Sequence, residues 1–270
     1  MQSEQEFLSR YNIKDYERPS LTADIAAFMI RSEESDNYKK NSVNTLSILL
    51  INRGEHPFKD HWALPGGFLL PGETLEECAF REISEETNVT PVSLMPIGVF
   101  SAPGRDPRGW IISDAFASII SEEAVRQAGG DDASDAQWFD VRFEKVKDND
   151  YHLDLHYGDT ELNAVLTEEE TKFGKTSFKI KDSGKLAFDH AAIIATALTA
   201  LREGAKNFET IFDFLPDKFT LTELQKVQET IMNISILPAN FRRKISDYVV
   251  ETDEYTQGAG HRPAKLYRRK

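Results

Sequence analysis

Apolar residues fall into short blocks over the first two-thirds of this chain and change to helical spacing toward its end. Residues 1 to 20 are polar and read as a short helix or arm. Ala23 to Ile30 (ADIAAFMI) predicts a first strand and residues 32 to 37 a polar loop. Thr45 to Asn52 (TLSILLIN) predicts a second strand, whose β-branched, apolar run suits burial. Pro65, Gly66 and Gly67 turn the chain, Gly72 ends a loop, and a helix follows to about Thr87. Leu94 to Phe100 and Trp110 to Ile120 predict further strands. Apolar and polar positions alternate from Tyr151 to Tyr157, Gly158 and Asp159 supply a two-residue turn, and Glu161 to Leu166 returns as the second arm of a hairpin. His152, Asp154 and His156 share the wet face of that hairpin, and Glu168 to Glu170 reads as a solvated run.

The period then lengthens. Asp189 stands where an N-cap belongs; Ala191, Ile194, Leu198 and Leu201 form an apolar stripe; Arg202 falls in the last turn and Gly204 stops the helix. Beyond about residue 208, Thr222 and Gln225 have capping-box spacing ahead of a helix carrying Leu224, Val227 and Ile231. After a break at 233–237, Pro238 opens another helix with Phe241, Ile245 and Val249 inward. Asn240, Arg243 and Lys244 point away from that core, with Arg242 on its flank. A glycine-rich turn from Gly258 to Pro263 leads into a strand at Ala264 to Tyr267. Helix, turn, basic helix, hairpin and strand is the order of a winged helix-turn-helix. The chain divides on this reading into residues 1–205 and 206–270.

Composition agrees with two units, since 270 residues suffice for about two domains. The net charge of −13 is unevenly shared, with +3 on residues 216–270 and −16 on the rest. No run approaches the ~18 consecutive apolar residues of a membrane span, and the first six residues are too acidic for a signal peptide. The lone cysteine, Cys78, cannot form an internal disulfide and suits a reducing compartment as a small buried residue. A soluble, cytoplasmic protein is expected.

The candidate chemistry lies on the predicted helix after Gly72. At about 100° per residue, Glu85 and Glu86 flank Glu82, so three carboxylates share an arc of about 100°. Their mutual repulsion calls for a cation, and oxygen-only ligands suit Mg²⁺ or Mn²⁺, which pair with phosphate substrates. The full string, Gly67-x5-Glu73-x7-Arg81-Glu82-Ile83-x-Glu85-Glu86-x-Asn88-Val89, resembles the Nudix box, and Trp62 to Gly67 leads into it. It departs from the family pattern only in Asn88, where a glycine usually ends the helix; asparagine is the usual second choice there. The resemblance implies an α/β/α sandwich with a mixed sheet and hydrolysis of a nucleoside diphosphate linked to a group X. Glu82, Glu85 and Glu86 would hold the metal, with Glu73 adding a contact. Arg81 would pair with a box glutamate, and Gly66 and Gly67 would allow close backbone approach near the substrate. Glu82 is the first candidate for general base, and Glu161 or the 168–170 cluster remain alternatives.

Gly104-Arg105-Asp106-Pro107-Arg108-Gly109 resembles a stretch of ADP-ribose pyrophosphatases and of ADP-ribose-sensing Nudix regulators, which favours ADP-ribose. Arg105 and Arg108 would grip its phosphates bidentately. The tail resembles the C-terminal domain of NrtR-type regulators, through Asn240 to Lys244 and the Gly-x-Gly-His-Arg-Pro-Ala stretch. Asn240, Arg242, Arg243, Lys244, His261 and Arg262 would then contact double-stranded DNA, and the protein would act as a homodimer. The intact charged positions of the box favour a Mg²⁺-dependent hydrolase that releases AMP and ribose 5-phosphate from ADP-ribose. The alternative is a regulator that only senses it.

Overall fold

A computed structural model describes residues 3–33, 43–87, 94–121, 125, 136–170, 176–256 and 263–270. Its frame is a mixed sheet of long strands: β1 (Ser20–Glu33), β2 (Val43–Asn52), β5 (Leu94–Phe100), β6 (Ile111–Ile119), β7 (Ala136–Lys147), β8 (Asp150–Tyr157), β9 (Thr160–Glu170) and β10 (Thr176–Asp182). They run in the order β10-β9-β8-β7-β2-β1-β6-β5. Two short strands, β3 (Trp62–Ala63) and β4 (Gly66–Phe68), add to β2 and β1. β1 and β6 are parallel and the other pairs of the main sheet are antiparallel.

Strand alternation divides the interior into two cores. On one face Ile25, Ala27 and Met29 of β1 meet Cys78, Ala79 and Ile83 of helix α2 (Leu75–Thr87). On the other, Ala26 and Phe28 join Ile194, Leu198 and Leu201 of helix α3 (His190–Lys206). Helices on both faces of a mixed sheet give the expected α/β/α sandwich. The hairpin predicted at 151–166 is β8–β9, with His156 paired to Glu161 and Tyr157 to Thr160. His152 and His156 lie exposed on it. The polar start forms α1 (Glu4–Arg10), closed by a capping box between Ser3 and Glu6.

The tail consists of α4 (Leu221–Met232), α5 (Pro238–Ile245) and the antiparallel strands β11 (Val249–Tyr255) and β12 (Lys265–Arg269), a winged-helix arrangement. Its interior is continuous with the α3 face of the sheet, because Phe208, Ile211 and Phe212 bridge Leu201 and Ala205 to Phe219 and Leu224. Arg202 ties the same seam, donating to the carbonyls of Phe143 on β7 (2.8 Å) and Ile231 on α4 (3.3 Å).

Three local expectations are corrected. Gly204 does not stop α3, which continues to Lys206. A Cβ at Gly204 would lie 2.3 Å from Thr210 Cγ2, so the glycine serves close packing instead. The capping box sits at Thr220 and Glu223, not at Thr222 and Gln225. With Thr220 as N-cap, Phe219 and Leu224 take the two positions of a hydrophobic staple, and both are buried. Val249 is buried but begins β11, because α5 ends at Ile245. No helix among the described residues is long and apolar enough to cross a membrane.

Candidate functional site

Helix α2 presents its carboxylates to the glycine loop at Gly66 and Gly67. Arg81 organises them. Its Nε and Nη2 hold Glu73 (3.1 and 2.7 Å), while Nη1 reaches Glu82 (2.5 Å) and Glu85 (3.4 Å). Glu73 also accepts from the Leu70 amide (2.6 Å), and these bonds, Arg81 first, hold its carboxyl down at about 2. Glu73 is thus a clamp for the loop, with its oxygens taken by Arg81 and Leu70. The predicted pairing of Arg81 with a box glutamate involves three glutamates.

Glu82 lies under Gly67: a Cβ there would fall 2.3 Å from its Cδ. Glu86 accepts a 3.0 Å bond from the Gly66 amide. Burial, then the neighbouring Glu82 and Asp24 charges, push Glu86 up to about 7 against the help of that amide and of Arg53. A carboxyl so raised records negative charge crowded into a half-buried site. Glu85 is largely exposed and turned toward Arg81. Both glycines are packed closely within the protein, Gly66 against the Ala23 carbonyl and Gly67 against Glu82. Among the described residues no three acidic, histidine or cysteine side chains are gathered into a formed metal cage. The all-oxygen donor set of Glu82, Glu85 and Glu86, with the crowding felt by Glu86, still fits a hard divalent cation. Cys78 is fully buried behind them, its thiol pushed up to about 11 by burial.

Asp24 is a site residue that the sequence reading missed. It is buried on β1 opposite Gly66. It accepts from Ser113 Oγ (2.5 Å) and Arg105 Nη2 (3.3 Å). An aspartate inside the apolar run Ala23 to Ile30 was the available signal. Arg105 is likewise buried, its fork closed on Asp189 at 2.9 and 2.7 Å. Asp189 therefore grips Arg105 and makes no side-chain bond to the helix it precedes. The next residue, His190, is buried and accepts at Nδ1 from the Leu64 amide (2.9 Å), which fixes the approach to the glycine loop. Burial lowers its pKa, keeping it neutral.

Arg108 is held by buried Asp106 through Nε (3.0 Å) and Nη2 (2.7 Å) and faces the rings of Phe68 and Phe188. The sequence thus brings Arg105 and Arg108 to one place with unequal freedom: Arg105 is enclosed, Arg108 partly open. Glu161 and the 168–170 cluster are on β9, four strands from β1 and roughly 19 Å away at about 4.8 Å per strand. Glu168 accepts there from Lys145 and Tyr151.

In the tail, Phe241 and Ile245 anchor α5 while Asn240, Arg242, Arg243 and Lys244 are exposed. No carboxylate pairs with these three cations among the described residues. His261, Arg262 and Asn88 lie outside the described residues.

Residues 29–153 match the NUDIX domain family, and residues 211–269 match the NrtR DNA-binding winged helix domain. The chain is 30% identical over 269 residues to the ADPR responsive transcriptional repressor NtrR of Acinetobacter baylyi, spanning 98% of this chain and 88% of that protein. Over 94 residues it is 49% identical to the ADP-ribose pyrophosphatase of Methanocaldococcus jannaschii, covering 35% of this chain and 54% of the relative. The crystal structure of Shewanella oneidensis NrtR complexed with a 27mer DNA superposes with a TM-score of 0.60 at 26% identity, covering 93% of each chain. Fold and site together define a Nudix protein carrying a winged-helix module. Within that class, the chain belongs to the NrtR-type branch of the Nudix family.

Proposed function

We propose that this protein is an ADP-ribose-responsive transcriptional regulator that binds double-stranded DNA through α5 and its wing, as a homodimer. One observation carries the reading: α5 leaves Arg242, Arg243 and Lys244 exposed and, among the described residues, without carboxylate partners on a chain of net charge −13. Acidic side chains are plentiful, so unpaired cations on one helix mark a surface kept for an external polyanion. The likeness to a repressor over nearly the whole chain supports it, as does the likeness to a structure solved with DNA.

A second reading, hydrolysis of ADP-ribose to AMP and ribose 5-phosphate, is favoured by the retention of Glu82, Glu85 and Glu86 on the glycine-loop side of α2. Mg²⁺ or Mn²⁺, held by these three, would supply charge neutralisation on the diphosphate and a water of lowered pKa. Glu82, beside Gly67 and oriented by Arg81, takes the general base role. Arg108 binds phosphate, and Asp24, Arg105, Asp189 and His190 hold the loops around it in place.

Selection of bound fragments from a random duplex DNA library tests the first reading. Enrichment of a defined sequence that ADP-ribose then releases is the expected result; no enrichment refutes it. Arg243→Ala and Lys244→Ala should each reduce the slope of log affinity against log salt by about 1. AMP release from ADP-ribose with Mg²⁺, abolished in Glu82→Gln, tests the second.

A further inference from the structure

The enclosed state of Arg105 raises the question of what completes the phosphate grip, and a different arginine answers it. Arg53 follows β2, its backbone fixed by bonds to His61 (2.9 Å) and Asp60 (2.8 Å). Its Nε donates to the Pro57 carbonyl (2.9 Å), which aims the rest of the guanidinium at the ring of Phe188, 4.8 Å from the centroid. Arg108 approaches the same ring at 5.4 Å. Among the described residues, neither Nη of Arg53 has a hydrogen-bond partner, and Nη1 of Arg108 has none either. Phe188 is itself held at a φ of 51°, a left-handed conformation that bulky side chains rarely adopt.

Two like charges on one half-buried aromatic ring repel each other, and among the described residues only Arg108 of the two is ion-paired with a carboxylate, that of Asp106. Arg53 accordingly loses basicity through burial and the Arg108 charge, while Asp106, then Glu86 and Asp24, act on it in the opposite sense. The two guanidinium groups with unused donors thus meet at one ring, and Arg53 is near enough to the box to feel the Glu86 charge. An anion there would neutralise the arginine pair on one flank and, on the other, meet a cation held by the box.

We propose that Arg53 is a phosphate-binding residue, which closes with Arg108 across Phe188 on the diphosphate of a nucleoside diphosphate sugar. The choice of ligand rests on the ADP-ribose reading; the grip on a diphosphate does not. Arg105 is the positioning residue of the pair predicted from sequence, holding Asp189 and Asp24 so that Phe188 stays within reach of both open arginines.

The experiment is titration calorimetry on the full-length protein in the presence of a chelator, with ADP-ribose, ADP and inorganic pyrophosphate. Wild type, Arg53→Gln, Arg53→Lys and Arg105→Gln are compared, with the unliganded melting temperature of each. Arg53→Gln should weaken diphosphate binding by about 10- to 100-fold with little change in melting temperature, and Arg53→Lys should recover part of the loss. Arg105→Gln should lower the melting temperature. Binding of Arg53→Gln equal to wild type would overturn the proposal. So would a loss of binding accompanied by a fall in melting temperature as large as that of Arg105→Gln, because Arg53 would then act through the fold. If wild type ignores ADP-ribose but binds ADP or pyrophosphate through Arg53, the arginine grip stands and the sugar assignment falls. If none of the three binds wild type, both fall.

Discussion

Adjacent glycines in the loop before α2 face very different neighbours, and replacing each with alanine separates site geometry from fold stability. At Gly67 the new Cβ would come 2.3 Å from Cδ and Oε1 of Glu82. A normal contact needs roughly 3.4–4 Å, so the Glu82 carboxylate must retreat by more than about 1 Å. It sits at the end of a flexible side chain and can do so at a cost of about 1 kcal/mol or less, a melting-temperature change of roughly 2–4 °C. The site is less forgiving, because a misplacement of about 1 Å costs on the order of 100-fold in a positioned reaction. At Gly66 the Cβ would instead lie 2.2 Å from the Ala23 carbonyl, and β1 is fixed by its partners on both sides. Gly66→Ala should therefore cost about 2–4 kcal/mol. Thermal unfolding reads the fold and Mn²⁺ titration reads the carboxylates. The expected pair of results is a stable Gly67→Ala that binds Mn²⁺ weakly, and a Gly66→Ala that melts roughly 5–15 °C early. A Gly67→Ala with unchanged Mn²⁺ affinity, or a Gly66→Ala as stable as wild type, would refute the reasoning.

Buried His190 has its pKa lowered from 6.5, so the unfolded chain takes up its proton first. Folding stability should fall by up to about 1.4 kcal/mol per pH unit once the pH drops below about 6.5, and His190→Gln should flatten that limb in denaturant titrations. Glu86 behaves oppositely: its carboxyl is raised from 4.5 to about 7, so the metal-free fold binds the extra proton and loses stability as pH rises between those values. Mg²⁺ binding near pH 6.5 should then release up to about one proton, measured as a buffer-dependent calorimetric heat that Glu86→Gln removes; a buffer-independent heat would contradict the assignment. Arg202→Met leaves the Phe143 and Ile231 carbonyls without their donor, and should destabilise by about 2–3 kcal/mol in chemical denaturation.

What the sequence showed and what it hid follow from interaction range. The strands at 45–52 and 94–100, the 151–166 hairpin and the α2 helix rest on local periodicity, and each forms where the pattern lies. The Arg81 clamp was also foreseeable, since Glu73, Glu82 and Glu85 are tied to it within one loop and one helix. The end of α3 was not, because Thr210, beyond the helix, decides what Gly204 does. Thr220 and Thr222 both carry capping spacing, and only the burial of Phe219 against the core selects the first. Asp24, Arg53, Phe188, Asp189 and His190 come from three distant segments, brought together by the β1–β2 and β2–β3 pairings and by the bridge of Trp62 to Leu186. No spacing rule relates such residues.

Helix α3 begins on the grip of Asp189 and the bond of His190 to the glycine loop, and ends among residues shared with the winged helix. Seventeen residues make it a rod of about 25 Å. In the regulator proposed above it would act as a lever with its first turn at the ligand site. A pivot of roughly 5° at Asp189 displaces the far end by about 2 Å. The continuous core beyond Ala205 offers no slack joint to absorb that movement before it reaches α4 and α5. Two protomers whose levers swing together would change the distance between their basic helices by twice as much. A duplex with fixed groove spacing would register such a change as lost contacts, and occupancy of a small site would then become a measurement of length.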